Sequence, residues 1–313
     1  MAKPQIDKRA KLFQRYLPIF NDKNWLELGE SSDKTFFRIN ALEYSKGSIL
    51  STYDLLASPE VNWISDTLAL VPNEIKNKIT QSYPRDLGLF FNGSSFIPVL
   101  ALNPNNGDHI LDMCAAPGVK TSLIAQITKD NKIKIRLTAN EKDRERFFKL
   151  EKLVDMFAEK SSIECVNQDA RFLTNDIHYD KILLDAPCSA EGELIKEKNY
   201  NHWSSKVINS YTNAQKGLLA KAISLTNPGG EIIYSTCTIA PEENEEVVNW
   251  AKQRFDIEIV PIDIPLPPGI EPIAVSGIPS WGIKKYDEQI ENTIHIKPDK
   301  VYEGFFIARI VKK

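Results

Sequence analysis

The chain has 313 residues, and no stretch of it reaches the ~18 consecutive apolar residues that a membrane span requires, so no span is expected. Histidine is scarce, and the four cysteines (Cys114, Cys165, Cys188 and Cys237) never come as close as C-x-x-C, which argues against a bound metal. The N-terminus carries Lys3, Lys8, Arg9 and Lys11 but lacks an apolar segment followed by small residues. A secretory signal is therefore not expected, and a cytoplasmic location with reduced thiols is. Basic charge is not in excess: 39 Lys+Arg against 42 Asp+Glu leave a net charge of −3. That balance counts only weakly against a nucleic-acid partner, because phosphate contacts need a local basic surface and not a basic total. Neither an internal repeat nor a low-complexity segment is present, and the length suits one large or two unequal globular domains.

What is present changes character along the chain. Residues 1–85 read as a smaller, mainly helical region, with Leu12, Phe13, Tyr16, Leu17 and Phe20 at helical spacing and Lys8, Lys11 and Arg15 on the opposite side. That basic stripe is either an RNA-backbone contact or a solvated helix face. The turn signals Tyr83-Pro84-Arg85-Asp86 and Asn92-Gly93-Ser94-Ser95 set this region apart from residues 86–313. From His109 onward short apolar runs (HILDM, KIRLTAN, IECV, KILLD, EIIYS) alternate with helical patterns over Thr121–Thr128, Asp143–Phe157, Tyr211–Leu225 and Pro241–Phe255. Strands alternating with helices predict an α/β fold, a mostly parallel doubly wound sheet of Rossmann-like form. After a Pro-rich loop at Pro261–Pro272, NTIHI and FFIARI are expected to close it as an antiparallel pair.

In such sheets ligands bind beyond the carboxyl ends of the strands. LDMCAAPGVKT (111–121) falls at that edge, and the small residues Ala115, Ala116 and Gly118 allow close backbone approach. Its spacing matches neither a phosphate loop nor a dinucleotide fingerprint. Glu141 then ends the second strand, where an acid can hold a ribose diol, and Asp169 follows the third, within reach of an adenine amino group. Either acid alone is more often a cap or a solvated residue; falling after successive strands, they support one another.

Cysteines follow the next two strands. DAPCSAEG (185–192) places Cys188 and STCTIAPEEN (235–244) places Cys237 at the cofactor edge, in loops where an inert buried thiol is out of place. Cys165, inside IECV, suits that inert role. LDMCAAPGVKT, ANEKDRER, QDAR, DAPCSAEG and STCTIAPEENEEVV resemble the successive motifs of the RNA cytosine-5 methyltransferases, the group that includes the bacterial Sun (Fmu) proteins. The resemblance runs from about Phe91 to GFFIARI. It departs at Val119 and Ala190, where the family usually has glycine.

The resemblance implies a Rossmann-like methyltransferase core, S-adenosylmethionine as methyl donor and an RNA substrate, ribosomal before transfer RNA. It implies that Cys114, Ala115, Ala116, Pro117, Gly118, Val119 and Lys120 wrap the methionine part of the donor. Glu141, with Arg146 nearby, takes the ribose, Asp169 the adenine, and Asp185 lines both sites. Cys237 is then the nucleophile that adds to carbon 6 of cytosine, and Cys188 assists product release. Asp185 hydrogen-bonds the base, and Lys120 stabilises the thiolate. A helix starting near Pro241 would favour that thiolate, while Glu242, Glu243, Glu245 and Glu246 in its first turn oppose the effect. Three other readings stand beside this one: Cys188 as nucleophile on DNA cytosine, a catalytically silent RNA-binding or ribosome-assembly protein, and a thiol redox protein.

Overall fold

Along the central strands every apolar side chain is used, alternately on one face and the other, as a sheet covered on both sides requires. The computed structural model describes residues 7–31, 33–158, 163–263 and 274–313. The N-terminal region opens with helices α1 (Lys8–Phe20) and α2 (Trp25–Glu30). An antiparallel sheet follows, built from β1 (Lys34–Ile39), β2 (Asn62–Trp63), β3 (Leu68–Pro72) and, past residue 85, β4 (Gly88–Phe91). Its order is β2-β3-β1-β4, and α3 (Lys46–Thr52) and α4 (Asn73–Ser82) share its local core through Ile49, Ile75 and Ile79. The helices agree with the sequence reading, which did not foresee the sheet. Strand β1 is buried on both faces, with Phe36 in the central core and Phe37 in the local one, so it shows no alternation to read.

After α5 (Ile97–Leu102) the main sheet begins. It runs through β5 (His109–Asp112), α6 (Val119–Asp130), β6 (Arg136–Asn140), α7 (Arg144–Phe157), β7 (Ile163–Val166) and β8 (Tyr179–Asp185). It continues with α8 (Glu191–Lys196), α9 (Ser205–Leu225), β9 (Thr226–Thr236), α10 (Glu245–Lys252), β10 (Ile257–Val260) and β11 (Ala274–Ser276). A small hairpin, β12 (Ser280–Trp281) and β13 (Lys284–Lys285), precedes β14 (Ile294–Ile296) and β15 (Phe305–Lys312). The order is β11-β14-β15-β9-β8-β5-β6-β7, with β5 to β9 parallel and β14 and β15 antiparallel. Ile110, Leu123, Leu150 and Leu183 fill one face; Leu111, Ile182, Leu184, Leu219 and Val248 fill the other. The chain order reverses between β5 and β8, so the loops after these strands open the crevice where ligands bind in open α/β sheets.

Two boundaries differ from the sequence pattern. Helix α10 starts at Glu245 and not at Pro241. Residues 241–244 form a turn in which Thr236 Oγ1 donates to Asn244 Oδ1 (2.6 Å) and Asn244 Nδ2 donates to the Thr238 carbonyl (3.0 Å). Strand β9 begins at Thr226, earlier than its apolar run, because Thr226 pairs with Tyr179 ahead of a turn at Gly229, where φ is +77°. Residues 264–272 of the expected Pro-rich loop lie outside the described residues.

Candidate active site

The turn from β5 into α6 is shaped by its small residues. Gly118 sits at φ +110°, a conformation costly for any residue with a Cβ, and caps α6. A Cβ there would also stand 3.1 Å from Leu150 and 3.3 Å from Leu153. Val119 opens the helix with its side chain against the core. Arg146, from α7, donates to the Ala116 carbonyl at 2.8 Å and lies 3.4 Å from Glu141 Oε2. The Glu141 carboxylate is buried, and Oε1 accepts from Asp143 N at 2.8 Å. Its Oε2 accepts no hydrogen bond.

Two cavities adjoin at this turn. One, of about 530 Å³, is lined by Met113, Cys114, Glu141, Arg146, Asp169 and Tyr211 among others. The second, of about 450 Å³, is lined by Ala115, Ala116, Pro117, Val119, Lys120, Asp185 and Cys237, and by Phe90, Asn92, Ser94, Glu193, Glu303 and Phe305. Cys114 and Arg146 belong to both walls, so the cavities are neighbours there. A separate cleft of about 410 Å³ between α6 and the end of α7 has no thiol or carboxylate among the described residues of its wall. Among the described residues no group of three His, Cys, Asp or Glu is placed to hold a metal, and no helix is long and apolar enough to cross a membrane.

The second cavity gathers Lys120, Asp185 and Cys237, with Cys188 behind Cys237. Lys120 Nζ donates to Asp185 Oδ2 at 2.7 Å, and Ser235 Oγ donates to Asp185 Oδ1 at 2.8 Å. Burial alone would depress the Lys120 ammonium, but the Asp185 charge outweighs it and holds the group above its ordinary value. Cys188 and Cys237, beyond the ends of the neighbouring strands β8 and β9, bring their sulfurs to 3.2 Å, and both thiols are free. The hydrogen bond to Cys237, reinforced by burial, pushes the Cys188 thiol well up. Either sulfur of this pair can be the S–H donor. Burial likewise pushes Cys114 up and leaves it inert. Burial raises Asp112, which accepts from Thr121 at 2.6 Å, to about 7.

Asp169 lines the first cavity, but its oxygens are already engaged. Arg171 Nη2 lies at 2.6 Å and Lys142 Nζ at 3.3 Å, and the Arg171 hydrogen bond holds the carboxyl far below the carboxylate range. Cys165 is half-buried on β7, against the central core.

Sequence reading misplaced the acids of the PEEN segment. Glu242 and Glu243 precede helix α10, and each of the four has a partner of its own: Glu242 with Arg15, Glu243 with Ser189, Glu245 with His295 and Glu246 with Lys284. Arg15 also packs over Trp281, so the stripe on α1 is partly a docking face for this loop. Glu191 was missed as well. It is fully buried and accepts from Tyr16 Oη (2.7 Å), Trp203 Nε1 (2.6 Å), Thr238 Oγ1 (2.8 Å) and Ile239 N (3.1 Å). Nothing in the sequence marks the PEEN run or the Glu after Ala190 as interior; only the fold buries Glu243 and Glu191.

Residues 99–311 match the family model described as 16S rRNA methyltransferase RsmB/F. A tRNA (cytosine(49)-C(5))-methyltransferase of Pyrococcus abyssi is 35% identical over 70% of this chain and 68% of its own length. Ribosomal RNA small subunit methyltransferase F of Vibrio parahaemolyticus is 34% identical over 72% of this chain, and the 25S rRNA (cytosine-C(5))-methyltransferase nop2 of Schizosaccharomyces pombe 27% over 96%. The matches span 45% and 50% of those two longer proteins. A crystal structure of a methyltransferase homologue from Pyrococcus horikoshii superposes over the full length of both chains with a TM-score of 0.72 at 26% identity. The mostly parallel sheet with its antiparallel C-terminal pair is thus the class I methyltransferase fold, and the chain belongs to the RsmB/F family of RNA cytosine-C5 methyltransferases.

Proposed function

We propose that this chain methylates carbon 5 of a cytosine in RNA, with S-adenosylmethionine as donor and Cys237 as the covalent nucleophile. The observation that carries this reading is the pair of sulfurs 3.2 Å apart, in loops facing the Lys120–Asp185 ion pair, beside a cavity joined to the cofactor turn. The residues of the first cavity suit the donor. Glu141 Oε2 is a buried acceptor with no hydrogen bond, only the Arg146 ion pair at 3.4 Å, which suits a ribose hydroxyl, and the Cys114–Lys120 turn has room for the methionine part. When bound, S-adenosylmethionine supplies an electrophilic methyl group.

The chain's own residues divide the remaining work. Cys237 gives up its thiol proton to the Asp185 carboxylate and its sulfur adds to carbon 6; Asp185 passes the proton to N3, and carbon 5 becomes an enamine carbon able to accept the methyl group. Asp185, oriented by Lys120 and Ser235, faces the base, where it accepts from the amino group and, once N3 carries the proton, from N3–H. The Lys120 cation offsets negative charge at the sulfur. Afterwards the carbon 5 proton leaves to a base at or near Cys188, the carbon–sulfur bond breaks, Cys237 recovers its electron pair, and N3 returns its proton through Asp185. Chemistry on the ring requires the base to be unstacked, which favours a single-stranded loop or bulge. The family description favours ribosomal RNA; the Pyrococcus abyssi relative keeps transfer RNA as the second candidate.

The test is incorporation of labelled methyl into RNA and, separately, DNA. Cys237→Ser should abolish transfer, and Cys188→Ser should leave a protein–RNA adduct stable on a denaturing gel. An active Cys237→Ser protein overturns the nucleophile, and transfer to DNA alone overturns the substrate.

A further inference from the structure

Behind the two thiol loops a line of oxygens joins two buried carboxylates. Thr238 Oγ1 lies 2.8 Å from Glu191 Oε2, Ser189 Oγ lies 2.9 Å from Thr238 Oγ1, and Ser189 Oγ makes a short contact to Glu243 Oε1. Both glutamates have no exposed surface. Thr238 follows Cys237 and Ser189 follows Cys188, so the line ties one thiol loop to the other.

The hydrogens can be counted. Three contacts join four oxygens, and each contact needs one proton. With both carboxylates ionised the line holds two protons, one per hydroxyl. If each hydroxyl donates to its carboxylate, the Ser189–Thr238 contact is left as two oxygens 2.9 Å apart with nothing between them. One further proton resolves this. Placed on Glu243, it donates to Ser189, Ser189 to Thr238, and Thr238 to Glu191; placed on Glu191, the same line runs in reverse. The remaining contacts are compatible with either arrangement: Glu243 Oε2 accepts from Ser189 N at 3.0 Å and Gln215 Nε2 at 2.8 Å, and Glu191 keeps its three other donors.

We propose that Glu191 and Glu243 share a single proton across Ser189 and Thr238, and act as positioning residues that lock the Cys188 and Cys237 loops together. The titratable groups facing Glu243 are Glu191 from α8, the Cys188 thiol, and Tyr234 of β9, whose hydroxyl donates to the Glu243 backbone carbonyl at 2.6 Å. Burial and the Glu191 carboxylate favour retention of the proton, and they outweigh the donors Ser189 and Gln215, which favour its loss. The cations on the flanking elements are engaged elsewhere, Arg15 with Glu242 and Lys216 with Glu246. Burial raises Glu243 to about 7, in the direction the count demands. Because a group whose proton affinity rises on folding loses its contribution as pH climbs, the native state should weaken between the ordinary carboxyl range and about pH 7.

The positioning role rests on the thiol assignment proposed above; the proton count does not, and its test reads stability. Thermal midpoints of the wild type, Glu243→Gln and Thr238→Val are compared between pH 5 and 8. The amide introduced by Glu243→Gln donates to Ser189 permanently, and Thr238→Val removes the crowded oxygen, so neither variant needs the extra proton. Relative to the wild type, both should gain about 3 °C or more as pH rises across this range. Asp112 contributes alike to all three and cancels. Curves that stay parallel overturn the proposal; in an Asp112→Asn background, which removes the other raised carboxyl, a midpoint that does not fall overturns it even if neither variant folds. Methyl transfer measured in parallel should show the wild-type rate falling relative to Glu243→Gln over the same range. An active Cys237→Ser protein would sink the thiol assignment and leave the stability curves untouched.

Discussion

At the scale of single residues, the sites that matter are those whose conformation or charge is out of place. Ala190 sits at φ 55°, ψ 40°, where the related family usually has glycine. An L-residue there costs ~1–2 kcal/mol, and glycine's greater freedom in the unfolded chain takes back ~0.5–1 kcal/mol, so Ala190→Gly should stabilise by about 0.5–1 kcal/mol. A shift of the urea midpoint to higher concentration, with unchanged slope, is the expected reading; a lower midpoint would show that the alanine methyl packs productively. Asp112 is the second case. Burial lifts its carboxyl from 3.8 to about 7, and its Oδ1 has no partner. Because the folded-state value is the higher one, the native state binds the proton more tightly, and stability falls as pH rises from about 4 to about 7. At ~1.4 kcal/mol per unit the loss is on the order of 3–4 kcal/mol. Asp112→Asn, which keeps the acceptor for Thr121, should remove that slope in urea titrations at pH 5 and 8. The residues proposed to react could be singled out in the sequence because thiols, acids and small residues recur at strand ends. Glu191 and Glu243 were not, since nothing local marks a charged side chain that tertiary packing buries.

At the scale of elements, the parallel strands declared themselves as short apolar runs, and β7 spans the same IECV residues that the sequence suggested. Boundaries failed where side chains took over from the backbone. Thr236 and Asn244 hold residues 241–244 as a turn, so the positive end of α10 lies further from Cys237 than the pattern at Pro241 implied. The most consequential element is α1. Its apolar stripe was correctly placed, with Leu12 and Tyr16 fully buried, but its polar positions are also internal contacts: Arg15 reaches Glu242, and Lys8 reaches the Asn201 carbonyl. Tyr16 donates to the same carboxylate that holds Thr238, one residue beyond Cys237. Tyr16→Phe should therefore cost about 1–3 kcal/mol of stability and slow methyl transfer on short RNA oligonucleotides as well as long ones. A loss confined to long RNA would instead assign α1 to RNA contact alone.

At the scale of the whole molecule, the contacts of the first 85 residues bear on whether they can be separated from the rest. Strand β4 lies beyond residue 85 yet pairs with β1, and Phe36 and Leu68 belong to the same core as Ile110, Leu137 and Leu183. Arg38, buried on β1, donates to the Ser122 carbonyl and hydroxyl on α6 at 2.7 and 2.9 Å. From the other side Leu12, Tyr16, Phe20 and Trp25 bury Ile195, Trp203 and Ile239. A separable RNA-binding arm would leave the catalytic sheet closed without it; here its removal uncovers several large apolar residues on two sides and strips two donors from buried groups. Each large core side chain so exposed forfeits ~1.5–3 kcal/mol, and a few of them match the ~5–15 kcal/mol that holds a typical domain together. A fragment of residues 86–313 should therefore fail to give a cooperative thermal transition, and adding residues 1–85 as a separate chain should restore one only if the two associate. A fragment that melts cooperatively and transfers methyl groups to a short oligonucleotide would show the opposite, that the N-terminal region serves the RNA and not the site.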